Sequence, residues 1–117
     1  MDGAGKKVFP LGKVMITMNV GLLMERDSDF NRDVWNSMHK FAECVWKDIS
    51  DEQREANLAA LQSKTGKVVA SYSTWYGEIY LVREFLPRLH TTILFADEYA
   101  EYYGEEEEEG GRGNGSL

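Results

Sequence analysis

At Gly66 the chain changes period. Upstream, apolar residues recur every three or four positions. Downstream, "KVVASYS" (67–73) and "EIYLVRE" (78–84) are short runs of β-branched and aromatic residues on either side of "TWYG", a hairpin signal with Gly77 in the loop. Ile79, Tyr80, Leu81 and Val82 are consecutive apolar or aromatic residues, so both faces of the second run need cover and that strand belongs mid-sheet. "TTILFA" (91–96) supplies a third strand, and "GKVMITM" (12–18), after Pro10 and Gly12, an early one. A helical stripe and a sheet face must each bury their apolar side. The predicted class is therefore α+β: an N-terminal strand, two to three helices, then a three-stranded antiparallel meander packed against the helices.

The helical half can be read in detail. "VGLLMER" allows a short turn of helix, and a longer helix is predicted from about Asp29 to Trp46. Phe30, Val34, Met38, Phe41 and Val45 are spaced four, four, three and four, one face of a 3.6-residue period, and Trp35, Ala42 and Trp46 widen it. Asp27 or Ser28 supplies its N-cap. "SDEQ" from Ser50 reads as a capping box, with Asp51 and Glu52 in the first turn of a helix that runs to about Gln62 and stops in "SKTG".

With 117 residues the chain supports one domain with a real core. The net charge of −7 is unevenly placed. Residues 1–96 carry twelve acids and twelve bases; residues 97–117 carry eight acids and Arg112. The expected organisation is a flexible arm (1–10), a balanced domain (11–99) and an acidic, low-complexity tail (100–117). No apolar run is long enough to span a bilayer, the N-terminus has no signal-like apolar stretch, and the lone Cys44 fits a reducing compartment, so a cytoplasmic location is expected.

The candidate chemical motifs reduce to structural ones. "DSDFNRD" (27–33) imitates a calcium loop, but the turn glycine is replaced by Arg32 and the closing glutamate by Met38, whereas a helix cap explains the same residues. His39 and His90 have no companion ligands at zinc spacing. Cys44 lies among core residues, Asp51, Glu52 and Glu55 follow from capping and the helix dipole, and no phosphate loop or nucleophile elbow is present. No catalytic residue, metal or cofactor is expected. Lys and Arg are scattered and the tail repels phosphate, so direct nucleic-acid binding is disfavoured.

The ordered set Trp46, Asp48, Asp51, Glu52 and Asn57, then "VVASY" ending at Tyr72, "IYLVRE" ending at Glu84, and "TTILFADEY" with Thr91, Thr92, Phe95, Glu98 and Tyr99 carries a resemblance. From about Leu11 to Tyr99 the chain resembles a family of small proteins of plasmids, prophages and bacterial mobile elements, some labelled plasmid-related protein or type I restriction subunit. It departs from that pattern at "CVWK", where the family has Gly-Asp-Trp-Gly, and at "FLPRLH", where it has a polar Ala-Asp-Arg-Ser loop. The resemblance implies a mobile-element origin and an α+β fold. It implies no reaction or cofactor.

The function expected is recognition of a protein partner, such as a nucleic-acid-binding defence effector that a phage- or plasmid-encoded inhibitor of the anti-CRISPR kind would obstruct. An accessory module of a restriction–modification or plasmid-maintenance system and a small enzyme without a recognisable motif are the alternatives. The expected contact residues are Trp75 and Tyr76 at the hairpin tip, and Glu98, Glu101, Tyr102, Tyr103, Glu105 and Glu106, whose carboxylates interleave with rings as a phosphate mimic would require.

Overall fold

A computed structural model describes residues 9–47, 49–86 and 89–104. The elements are β1 (Lys13–Ile16), α1 (Met18–Arg26), α2 (Ser28–Ala42), α3 (Asp51–Ser63), β2 (Lys67–Thr74), β3 (Gly77–Glu84), β4 (His90–Phe95) and α4 (Ala96–Tyr99), which runs into a π-helical turn at Ala100–Gly104. The sheet order is β1-β4-β3-β2. The meander β2-β3-β4 is antiparallel, with Leu81 opposite Ala70 on one side and Ile93 on the other. β1 joins it parallel to β4, Val14 opposite Thr91. The fold is α+β with a mixed sheet, and the sequence gives no sign of the parallel pair, which forms only when the chain returns to β1 some seventy residues later.

α1, α2 and α3 each begin on the residue type their unpaired N–H groups require. Thr17 Oγ1 accepts from Val20 N at 3.4 Å, Asp27 Oδ1 from Phe30 N at 3.0 Å, and Ser50 Oγ from Gln53 N at 3.0 Å. Only half of the expected capping box forms at Ser50. The Gln53 amide donates forward to Asn57 Oδ1 at 2.9 Å instead of back to the cap.

α2 ends at Ala42, four residues before the predicted Trp46. Cys44 takes φ 64°, which breaks the helix. Trp46 then folds back with its indole N–H on the Phe41 carbonyl at 3.3 Å, an acceptor it shares with the Cys44 N–H at 3.0 Å, and is 2% exposed. Trp35 departs from the predicted apolar face and is 52% exposed.

The helices cover one face of the sheet. Phe30, Val34, Phe41, Trp46 and Val20 pack there on Val68, Ala70, Ile79, Leu81 and Ile93. On the opposite face Val82, Leu94 and Tyr103 form a smaller core with Val69, Tyr80 and Tyr99. β3 is therefore covered on both sides, as its sequence requires, and the second cover is the C-terminal segment itself. The folded chain continues through Gly104, past the boundary read at Tyr99, because Tyr103 must reach that second core. At the other end Phe9, inside the expected arm, stands edge-on to Phe41, centroids 5.3 Å apart, and packs against the core. Residues 1–8 and 105–117 lie outside the described residues.

Asn57 fixes the free edge of the sheet. It is wholly buried on α3, its amide donates to the Val69 carbonyl at 2.9 Å, and its oxygen accepts from the Val69 N–H at 3.0 Å. A side-chain amide thus stands in for a neighbouring strand at β2, closing the edge to another chain at that point.

Candidate functional site

The β2–β3 turn places two aromatic residues at one end of the molecule. Thr74 pairs with Gly77, so the loop is only Trp75 and Tyr76. Gly77 at φ 119° accepts a geometry that side-chain-bearing residues rarely adopt. Thr74 Oγ1 donates to the Gly77 carbonyl at 2.6 Å and accepts from Tyr76 N at 3.1 Å, which stiffens the tip.

Tyr76 lies across the start of α2. Its ring meets Phe30 edge-on at 5.8 Å, and its hydroxyl donates to Asp27 Oδ2. Asp27 therefore caps the helix with one oxygen and holds the hairpin with the other. The Tyr76 hydrogen bond, then the Phe30 N–H, lower its pKa below the ordinary aspartate value, while the same hydrogen bond raises that of Tyr76.

Trp75 has no comparable anchor and is 89% exposed. With Tyr76, Phe30, Asp27 and Asp29 it encloses a recess of about 240 Å³. Two carboxylates beside two aromatic faces suit a cation. A lysine or arginine side chain there would gain both charge pairing and ring contact. Arg32 reaches Asp29 at 3.2 Å from the neighbouring turn, a solvent-exposed contact of small energetic consequence.

The other expected contact residues sit elsewhere. Lys67 and Glu84 close the far end of the β2–β3 ladder, roughly 23 Å from the tip at about 3.3 Å per residue. There the Tyr103 hydroxyl donates to Glu84 Oε2 at 3.1 Å, His90 Nε2 stands 3.5 Å from the same oxygen, and Lys67 Nζ lies 4.7 Å from the Tyr103 ring centroid. Tyr103 and His90 are buried, and the four residues together fasten the C-terminal turn to the sheet.

Glu98 is also turned inward. Its carboxylate accepts from Thr17 Oγ1 at 2.9 Å, Asn19 Nδ2 at 2.7 Å and Phe95 N at 2.9 Å, tying α4 to the start of α1. Glu98 and Tyr103 thus leave the expected surface, because each satisfies buried groups of the fold. Glu101 and Tyr102 remain exposed, and Glu105 and Glu106 lie outside the described residues. The sequence-predicted set is divided between two ends of the molecule. Asp27 and Asp29 join the aromatic tip in their place, unannounced because their spacing suggests only a cap.

Burial raises the Cys44 pKa, which keeps the sulfur a thiol at neutral pH and a poor nucleophile. Among the described residues no three His, Cys, Asp or Glu side chains converge as a metal site, and no helix is long and apolar enough to cross a membrane. The chain matches no family model, no curated protein and no solved structure.

Proposed function

We propose that this chain is a non-enzymatic binding protein of phage or plasmid origin that docks on a basic, nucleic-acid-binding partner protein and obstructs it, in the manner of an anti-CRISPR inhibitor of bacterial defence. The observation that carries the reading is Trp75, 89% exposed on a stiffened two-residue turn with the Asp27 and Asp29 carboxylates beside it. Hydration of a full indole is unfavourable and folding gains nothing from it. Tryptophan is the residue type that most often dominates an interface, and a rigid turn reduces the ordering cost of binding.

The charge supports a basic partner. The domain is neutral up to residue 96, and the excess of acid lies beyond it, where it steers encounter with a positive surface. The mobile-element resemblance agrees with a role against host defence.

The test is inhibition. Purified chain is added to RNA-guided and restriction nucleases before their nucleic acid, and target binding and cleavage are measured. The reading predicts that one effector loses target binding when the chain is added first, and recovers when its own nucleic acid is loaded first. A chain that binds an effector yet leaves its target binding and cleavage unchanged would move the function to an accessory role.

A further inference from the structure

At the end of the molecule away from the hairpin tip, a groove of about 740 Å³ opens between the end of α3, the chain before β1 and the chain after β3. Its walls are apolar, from Phe9, Leu61 and Phe85 and from Leu58, Leu86 and Leu89, the last three 51%, 65% and 61% exposed. Its volume is that of a small-molecule site.

Two cationic side chains also line the groove: Lys64, exposed at the end of α3, and Arg83, which is buried. Arg83 follows Ile79 and Leu81 on the helix-covered face of β3, and is 4% exposed. Its guanidinium lies 4.5 Å from the Phe85 ring centroid, and Nη1 donates to the Glu84 carbonyl at 2.9 Å. Nε is buried with no acceptor, and among the described residues no carboxylate forms an ion pair with Arg83. Gly12 clears space for it: a Cβ there would stand 3.0 Å from Nη1.

A buried guanidinium without a counter-charge destabilises a fold, and a methionine of similar length would cost less. Nη1 gives one of its two N–H groups to Glu84 and Nε has no acceptor, so the Nε–Nη2 edge is the side of the guanidinium that suits the two oxygens of a carboxylate. We propose that the groove is a binding site for a medium-chain monocarboxylic acid, its carboxylate on Arg83 and its alkyl chain along Phe85, Leu58, Leu61, Leu86 and Leu89. This rests on the groove alone and is independent of the hairpin tip.

The experiment is calorimetric titration of the full chain with hexanoate, octanoate and decanoate below their micellar limits, and with decanol below its solubility. Affinity for the acids rises about fourfold per added methylene, the factor that about 0.8 kcal/mol of apolar transfer corresponds to. Decanoate binds about tenfold or more tighter than decanol, the contribution of a charge-assisted hydrogen bond. Arg83→Met abolishes the preference for decanoate and leaves decanol binding in place. Leu58→Asp, a substitution at an exposed helix position, weakens decanoate and flattens the chain-length series, and it carries the test if Arg83→Met does not fold. Failure of decanoate to bind saturably overturns the proposal, as does binding that neither variant weakens. A short peptide with an apolar C-terminal residue and a free α-carboxylate that binds tenfold tighter than any of the acids would give the groove to a protein terminus instead.

Discussion

Replacing Asn57 by alanine removes two hydrogen bonds that no other side chain can remake. The Val69 N–H and carbonyl, which point away from β3, both lose their partner, and Gln53 loses its acceptor. A buried polar group left unpaired costs about 1–3 kcal/mol. Val69 is only half-buried at the edge of the sheet, so water recovers part of that loss, while Asn57 itself is wholly buried and leaves a small void. The sum is about 3–4 kcal/mol, a large share of the roughly 5–15 kcal/mol that holds a domain folded.

Equilibrium urea unfolding measures this as a lowered midpoint at unchanged slope. Asn57→Asp separates the two bonds. A carboxylate still accepts from Val69 N–H but faces the Val69 carbonyl without a proton. Its pKa in the folded state is therefore raised above the unfolded value. Stability is regained when the pH falls below the unfolded pKa and lost as it rises through the folded one. A loss under about 1 kcal/mol for Asn57→Ala, or a pH-independent Asn57→Asp, would show that Asn57 is not the clamp on β2.

Three further outcomes follow from other contacts. Tyr103→Ala opens the second core and takes one hydrogen-bond donor from Glu84, and should cost about 2–4 kcal/mol by the same unfolding assay. Gly12→Ala forces a Cβ to 2.4 Å from the Leu89 carbonyl at φ +70°, and should destabilise by at least about 2 kcal/mol where an ordinary loop glycine would tolerate the change. Tyr76→Phe removes the donor that lowers the Asp27 pKa, so the stability gap to wild type should be constant at neutral pH. That gap should close as the pH falls through the folded Asp27 pKa, below its ordinary 3.8, and as it rises through the folded Tyr76 pKa, above 10.0, in melts across that range.

The fold was legible where local chemistry decides it. Ser50 and Asp27 cap as their side chains require, "TWYG" turns where two strands need a short loop, and the four consecutive apolar residues of β3 called for cover on both faces. The failures have a common cause. The end of α2, the inward turn of Trp46, the parallel β1–β4 pair and the role of Asn57 depend on partners far along the chain, which periodicity does not encode.

The site divides in the same way. Trp75 and Tyr76 stand out from sequence because a hairpin tip leaves little to bury an aromatic residue. Glu98 and Tyr103 misled because an acidic, tyrosine-rich stretch reads as solvated, whereas three hydrogen-bond donors and an uncovered sheet face draw those two inward. Arg83 gave no sequence signal at all. An arginine in a strand ordinarily faces water, and only the groove shows that this one does not.

The most direct measurement of the central claim is the affinity of a responsive defence effector for wild-type chain and for Trp75→Ala, with circular dichroism confirming that both are folded. Loss of an anchoring tryptophan should cost about 2 kcal/mol or more, roughly a thirtyfold weaker complex. Asp27→Asn should reduce the salt dependence of that affinity. Equal affinity of wild-type and Trp75→Ala chain across the salt range would contradict the account, since recognition would then not run through the hairpin tip.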